Sequence, residues 1–121
     1  MKLKVLPPTL RKNNRYLTID IKTQNKISKN DLVAIVWDSC IRYWGECNTS
    51  NFNLWVMRLF DYGQEEDYYN YKAIVRCQRG YEDQVRAAFC VMKKFNKNKI
   101  AINTIGSSGT IKASMDRYIQ S

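Results

Sequence analysis

The stretch that decides the fold lies near the start of the chain and reads Arg15-Tyr16-Leu17-Thr18-Ile19-Asp20-Ile21-Lys22-Thr23. Its residues alternate, because Leu17, Ile19 and Ile21 fall on one side and Tyr16, with the polar residues, falls on the other. Successive side chains of a strand point to opposite faces of a sheet, so the alternation predicts a half-buried β-strand. Such a strand needs a layer that covers its apolar side.

Two amphipathic helices are predicted to supply that layer. The first begins at Ser28, which is expected to form a capping box with Asp31. Its expected end is Gly45, with a further turn towards Ser50 as the alternative. The second is predicted over residues 81–95, where apolar residues recur at helical spacing. A short third helix is predicted to begin at Thr110 near the end of the chain.

The remaining strands complete the element order β-α-β-β-α-β with a C-terminal helix. They are predicted at residues 54–61, 71–78 and 99–105, with an acidic, tyrosine-rich connection at residues 62–70. This order predicts an α+β, ferredoxin-like (split β-α-β) sandwich with four antiparallel strands and two helices on one face. At 121 residues the chain is expected to form one domain, 1–121, with residues 1–14 as an extended basic arm.

The charge of the chain points to its partners. Twenty Lys and Arg against eleven Asp and Glu give a net charge of +9 at pH 7. The basic residues gather towards both ends of the chain, whereas acidic residues cluster mid-chain at residues 65–67. Phosphate backbones attract clustered Lys and Arg through counterion release, so basicity at both ends favours a nucleic-acid or an anionic-membrane partner.

The sequence predicts a cytoplasmic protein with no membrane partner. The N-terminus lacks the apolar run of a signal peptide, and no stretch is long enough to span a membrane. The four cysteines show no C-x-x-C spacing. They are predicted to be reduced thiols in the core rather than disulfides.

No catalytic constellation is found. The chain has no histidine, which removes the commonest general base and metal ligand. Clustered carboxylates could still hold magnesium in a nuclease, but nothing in the spacing of Asp20 and Asp61 brings them together. The chain is therefore predicted to be non-catalytic and to bind no cofactor itself.

One segment between a predicted strand and helix has phosphate-binding chemistry. It reads Gly106-Ser107-Ser108-Gly109-Thr110, and Lys112 follows in the first helical turn. Backbone N–H groups of such a turn and a helix N-terminus can hold a phosphate. The alternative is a tight turn in which Thr110 caps the helix.

Three other functions remain as alternatives, and each has a sequence feature against it. A generic RNA-recognition module would stack single-stranded bases on Tyr16, but the third strand offers Lys72, Ile74 and Arg76 rather than aromatics. A ferredoxin-like regulatory domain for a small ligand would not need a charge of +9. An acylphosphatase-type enzyme would want an arginine after the first strand, and residues 23–27 contain none.

Several segments carry a resemblance to a known family. They are residues 6–11 leading into 15–17, residues 31–46, 74–77 and 85–88, and residues 104–112, the most specific of them. Together they resemble the archaeal and eukaryotic ribonuclease P protein component 2 family, with an archaeal methanogen as the implied source. The stretch at residues 62–70 departs from the family's pattern in its length and its tyrosines.

The resemblance implies a subunit of the enzyme that cuts the 5′ leader from precursor tRNA. The RNA component would perform the hydrolysis with Mg²⁺, and the protein would brace that RNA. The implied protein partners are ribonuclease P protein component 3, in a 2:2 heterotetramer, and the other ribonuclease P proteins.

The basic residues and exposed aromatics then give a site hypothesis. The RNA contacts are predicted at Arg11, Lys12, Arg15, Arg76, Gly106, Ser107, Ser108, Gly109, Thr110 and Lys112. Trp55 and Tyr62 are predicted to contact protein partners.

Overall fold

The computed structural model describes residues 14–95 and 98–119, so the predicted arm with Arg11 and Lys12 lies outside the described residues. The elements are β1 (Asn14–Thr23), α1 (Lys29–Trp44), α2 (Glu46–Thr49), a 3-10 turn (Ser50–Phe52), β2 (Trp55–Glu65), β3 (Tyr68–Gln78), α3 (Glu82–Val91), β4 (Lys94–Phe95), β5 (Asn98–Ser108) and α4 (Ile111–Tyr118). The predicted α+β, split β-α-β fold is confirmed. No helix within the described ranges is long and apolar enough to cross a membrane.

The strands form one antiparallel sheet in the order β2-β3-β1-β5-β4, so the alternating residues 15–23 of β1 lie at its centre. On one side, which we call the α1/α3 face, the two longer helices cover the apolar residues of β1 and its neighbours. Fully buried side chains there are Leu17, Ile19, Ile21, Leu32, Ile35, Val36, Val75, Val85 and Phe89. This layer is the hydrophobic core of the domain.

Helix α1 begins and ends where the sequence predicted. The Ser28 hydroxyl accepts a hydrogen bond from the Asp31 N–H at 3.2 Å, and the Asp31 carboxylate accepts one from the Ser28 N–H at 3.0 Å. Gly45 ends the helix with a φ of +86°, which a residue with a side chain rarely adopts. The capping box and the C-terminal glycine are therefore confirmed.

The connection predicted at residues 62–70 is wrong, because these residues form a hairpin. Strand β2 continues to Glu65, and β3 begins at Tyr68, so the turn consists of Glu66 and Asp67. Most side chains near this turn are exposed on both faces of the hairpin. No apolar alternation therefore marks these strand ends in the sequence.

Two other predicted boundaries also need correction. Helix α3 ends at Val91 rather than at residue 95, because Lys94 and Phe95 pair with the start of β5. Strand β5 continues to Ser108, because residues 106–108 stay paired with β1. A bulge at Ile105 shifts the register within this pairing.

The opposite side of the sheet, which we call the α4 face, is covered only in part. Helix α4 lies over its middle, where Thr18 and Ile74 are fully buried. Gly106 sits directly beneath the Tyr118 ring, so that a Cβ at this position would overlap the ring. The Lys72 ammonium donates a hydrogen bond to the Tyr118 carbonyl at 3.4 Å. Both ends of the α4 face remain open.

Candidate nucleic-acid interface

The strand register brings several predicted RNA-binding residues to one end of the sheet. Strand β1 begins there, whereas β3 and β5 end there. On the α4 face, Tyr16 lies directly opposite Arg76 on one side and Ser108 on the other. Arg76 in turn lies opposite Trp55. We call this region the Arg15 end of the sheet.

Arg15 lies against the turn that follows β5. A Cβ built on Gly109 would be 3.3 Å from a terminal nitrogen of the Arg15 guanidinium. Arg15 is half-buried and forms no ion pair within the described part of the chain. A cation without an anionic partner, next to a glycine turn, leaves donors available for a phosphate.

The predicted phosphate-binding loop is shorter than expected. Gly106, Ser107 and Ser108 are strand residues, and Ser108 is buried, so only Ser107, Gly109 and Thr110 expose their surfaces. The Thr110 hydroxyl accepts a hydrogen bond from the Ala113 N–H at 3.1 Å, which confirms Thr110 as the cap of α4. The backbone of the turn is thus fixed by the cap.

Lys112 lies in the first turn of α4, where its side chain is exposed. No hydrogen bond or ion pair ties this side chain to another described residue. Lys112 follows the turn in the same segment, and Arg15 on β1 reaches that turn from a separate segment at the same end of the sheet. Their contacts with RNA stay a prediction.

Arg76 has a structural task that the sequence did not reveal. Its Nε donates to the Asn53 carbonyl at 3.2 Å, and its terminal Nη2 donates to the Asn53 side-chain oxygen at 3.3 Å. Asn53 adopts a left-handed φ of +54°, and its amide donates to the Asn14 side chain at 2.9 Å. Arg76 thus fixes the entry into β2 beside Trp55.

Asn53 is a structural residue of this end of the sheet that the sequence analysis did not identify. Asn tolerates the left-handed backbone better than most residues, so an Asn just before a strand was an available signal. The partner that holds it, Arg76, is 23 residues away in the sequence. That pairing depends on the register of β2 against β3.

The two residues predicted to contact protein partners lie apart on β2, an edge strand of the sheet. Trp55 is 46% exposed at the Arg15 end, and Tyr62 is 40% exposed towards the hairpin turn. The Lys72 ammonium lies 4.9 Å from the centre of the Tyr62 ring, a cation–π distance. The structure therefore does not bring Trp55 and Tyr62 together as one patch.

The cysteines divide into two pairs of different character. All four are free thiols, but only Cys40 and Cys77 are buried, so the prediction of four core thiols is wrong for Cys47 and Cys90. Burial raises the pKa of Cys40 to about 12, and burial raises the pKa of Cys77 to about 12 with a contribution from the Glu82 charge. The buried thiols stay protonated at neutral pH and act as small apolar core residues.

Comparison with known proteins gives a consistent family. A family model described as the Rpp14/Pop5 family matches residues 15–119. A ribonuclease P protein component 2 from Methanobrevibacter smithii is 58% identical over 113 residues, which cover 93% of this chain and 94% of the relative. One from Methanothermobacter thermautotrophicus is 39% identical, over 98% of this chain and 94% of the relative.

The solved structures show the same fold at much lower sequence identity. A chain of the yeast ribonuclease MRP cryo-EM structure superposes with a TM-score of 0.60. The superposition covers 83% of this chain and 76% of that chain, at 8% sequence identity. At that identity the similarity supports the architecture alone.

Proposed function

The chain belongs to the Rpp14/Pop5 family, and we propose that it is a protein subunit of ribonuclease P. It binds and stabilises the catalytic RNA for removal of the 5′ leader from precursor tRNA. The observation that carries this proposal is the 58% identity to a ribonuclease P protein component 2 over 93% of the chain.

We place the first RNA contact at the Arg15 end of the sheet. Arg15 and Lys112 supply positive charge beside the exposed backbone of Ser107 and Gly109. Arg11 and Lys12 precede β1 by a few residues in the sequence and would add to the same charge. Arg76 is a positioning residue in this proposal, because two of its donors hold Asn53.

The chemistry is assigned to the RNA and not to this chain. Mg²⁺ belongs to the RNA active site, as the family resemblance implies, and the protein contributes charge and shape. The proposed protein partner is component 3, in a 2:2 heterotetramer, with the exposed edge strand β2 as a surface for it or for other ribonuclease P proteins. Cytoplasmic location remains a prediction.

A second candidate function has one observation in its favour. Tyr16 and Trp55 lie on the α4 face with Arg76 between them, and Trp55 is 46% exposed. This arrangement is similar to the aromatic pair of an RNA-recognition module. Under that function, short single-stranded RNA would bind to the isolated chain, and Tyr16→Ala would abolish the binding.

The deciding experiment is cleavage of precursor tRNA by the ribonuclease P RNA and component 3 at limiting Mg²⁺, with and without this chain. Acceleration of 5′ cleavage on its addition supports the subunit function. If the folded protein gives no acceleration although its partners are active, the subunit function is contradicted.

The Arg15 end is tested by the salt dependence of affinity for the same RNA. The variant Arg15→Ala/Lys112→Ala should flatten the slope of log K against log salt by roughly 1.5, since each lost phosphate contact removes about 0.7 to 0.9. The matched control is Lys29→Ala/Arg86→Ala, which removes two exposed cations from the helices of the α1/α3 face. Equal slopes in the two variants would refute this placement.

A further inference from the structure

The opposite end of the α4 face carries a second basic site that the proposed function does not yet use. A cleft of about 430 Å³ opens there, lined by Lys22, Tyr68, Lys93, Lys99, Ile100 and Ala101. We propose that this lysine cleft binds a second phosphate of the same RNA and that Tyr68 stacks on the adjoining base. This inference rests on the proposed function and deepens it by adding a separate contact.

The strand register explains how the cleft forms. Lys22 on β1 lies directly opposite Ala101 on β5. Because the alanine side chain is small, it leaves space between the longer side chains around it. Lys99 falls on the same face as Ala101, because it lies two residues earlier on β5. Helix α4 ends over Gly106 and Lys72 and does not reach this end of the sheet.

Backbone hydrogen bonds hold the lysines of the cleft in place. The Lys99 N–H donates to the Gln24 side chain at 2.8 Å, and the Lys99 carbonyl accepts from the Gln24 N–H at 3.2 Å. The Lys93 carbonyl accepts from the Ile100 N–H at 2.9 Å. The backbone positions are therefore set before any ligand arrives, which lowers the cost of binding.

Acidic residues occur near the cleft, at Asp20 on β1 and at residues 65–67 before Tyr68, but they do not pair with its lysines. Lys22, Lys93 and Lys99 are exposed, and none forms an ion pair within the described residues. Lys94 also lies directly opposite Lys99 across the β4–β5 pair, where like charges repel each other. A bound phosphate relieves this repulsion, so the arrangement favours a polyanionic ligand.

The lining favours a nucleic acid over an acidic protein segment. The exposed ring of Tyr68 offers a flat face on which a base can stack. The acids at residues 65–67 lie next to Tyr68 on the hairpin turn and repel phosphate there. They would direct a strand towards the lysines.

The Arg15 end and the lysine cleft lie at opposite ends of β1. Lys22 lies seven positions after Arg15, which corresponds to about 23 Å along an extended strand and places the two side chains on opposite faces of the sheet. In this proposal the RNA phosphate at the lysine cleft is therefore distinct from the phosphate at the Arg15 end.

The test is a titration of the ribonuclease P RNA with the full chain over a range of KCl concentrations. Lys22→Ala/Lys99→Ala is expected to flatten the salt slope by roughly 1.5, whereas the charge-matched Lys29→Ala/Arg86→Ala leaves the slope unchanged. Tyr68→Leu is expected to weaken affinity roughly five- to tenfold without a change in slope, since stacking is uncharged.

The outcomes separate this inference from the proposed function. If Arg15→Ala/Lys112→Ala flattens the slope but Lys22→Ala/Lys99→Ala behaves like the control, the lysine cleft is overturned and the subunit function stands. If the wild-type protein neither binds the RNA nor accelerates cleavage, both the subunit function and the lysine cleft are refuted. If Lys22→Ala/Lys99→Ala loses component 3 but keeps its RNA salt slope, the cleft is a protein surface, and the inference is also overturned.

Discussion

The two faces of the sheet are built on different principles, and two adjacent residues of β1 show the contrast. Ile19 points to the α1/α3 face and Thr18 to the α4 face, and both are fully buried. Ile19 belongs to a continuous apolar core, whereas the Thr18 hydroxyl has no hydrogen-bond partner within the described structure. One face is stabilised by apolar volume, and the other is closed by a single eight-residue helix.

This difference explains where binding surfaces can lie. The α1/α3 face is covered by its two helices, which bury the apolar residues of the strands. The α4 face is covered only at its middle, so Tyr16 and Arg76 stay partly exposed at one end and the lysine cleft opens at the other. A short covering element thus leaves room for two contacts with one ligand.

The largest expected effect comes from opening the α1/α3 face. Ile19→Ala should lower the free energy of unfolding by about 3 kcal/mol, because it removes buried methylenes and leaves a cavity at the centre of the sheet. Urea denaturation measures this loss. The control is Ile19→Val, which removes less volume and should lower the free energy of unfolding by about 1 kcal/mol. A loss below 1 kcal/mol for Ile19→Ala would contradict the conclusion that apolar packing stabilises the α1/α3 face.

The next largest effect is expected from a substitution that displaces α4, the helix that covers the α4 face. Gly106→Ala places a Cβ in the Tyr118 ring, so α4 must shift, and the free energy of unfolding should fall by about 2 kcal/mol. Gly109→Ala is the control, because its Cβ would meet only the flexible tip of Arg15 at 3.3 Å. If the two variants are equally stable, Tyr118 does not hold α4 in place.

The buried thiols make the α1/α3 face sensitive to alkaline pH. The pKa values of Cys40 and Cys77 are raised by burial, so above pH 9 the unfolded chain loses thiol protons that the folded chain keeps. Stability contributed by these thiols is complete below pH 9 and is lost as the pH rises, by about 1 kcal/mol per thiol at pH 10.

The measurement compares unfolding free energies at pH 8 and pH 10 for wild type and for Cys40→Ala/Cys77→Ala. The double variant is less stable throughout because of its cavities, but its decline between the two pH values should be smaller by about 2 kcal/mol. A parallel decline in both proteins would show that the thiols do not contribute.

The smallest effect is a change at Thr18 itself. Thr18→Val keeps the shape of the side chain and removes a buried hydroxyl that has no partner within the described residues. The free energy of unfolding should stay the same or rise by up to about 1 kcal/mol. A clear loss of stability would mean that the hydroxyl has a partner, such as an ordered water, beneath α4.

The sequence predicted those elements that alternate or cap clearly. Residues 15–23 alternate because one face is apolar, and Ser28 with Asp31 marks a helix start through local chemistry alone. The hairpin at residues 62–70 was missed because most of its side chains are exposed, so no apolar alternation marks it. The end of α3 was overestimated because Met92 continues the apolar stripe although Lys94 already pairs with β5.

The candidate site was predictable only in part, because its assembly depends on long-range register. The basic character of Arg15 and Lys112 was visible in the sequence, but their shared position required β1 to pair with β5. Arg76 donates a hydrogen bond to Asn53, and Lys22 lines the same cleft as Lys99. In both cases the two residues are far apart in the chain. No short motif encodes these contacts.

One detail of the charge pattern has a practical consequence for anyone handling this protein. Arg42 and Asp38, at 3.1 Å, form the single ion pair within residues 14–95 and 98–119, and they lie on the surface of α1. Concentrated salt therefore removes little from the folded state, yet it weakens every phosphate contact. A wash of the bound protein at about 1 M salt should strip co-purified host nucleic acid from a column and leave native protein behind.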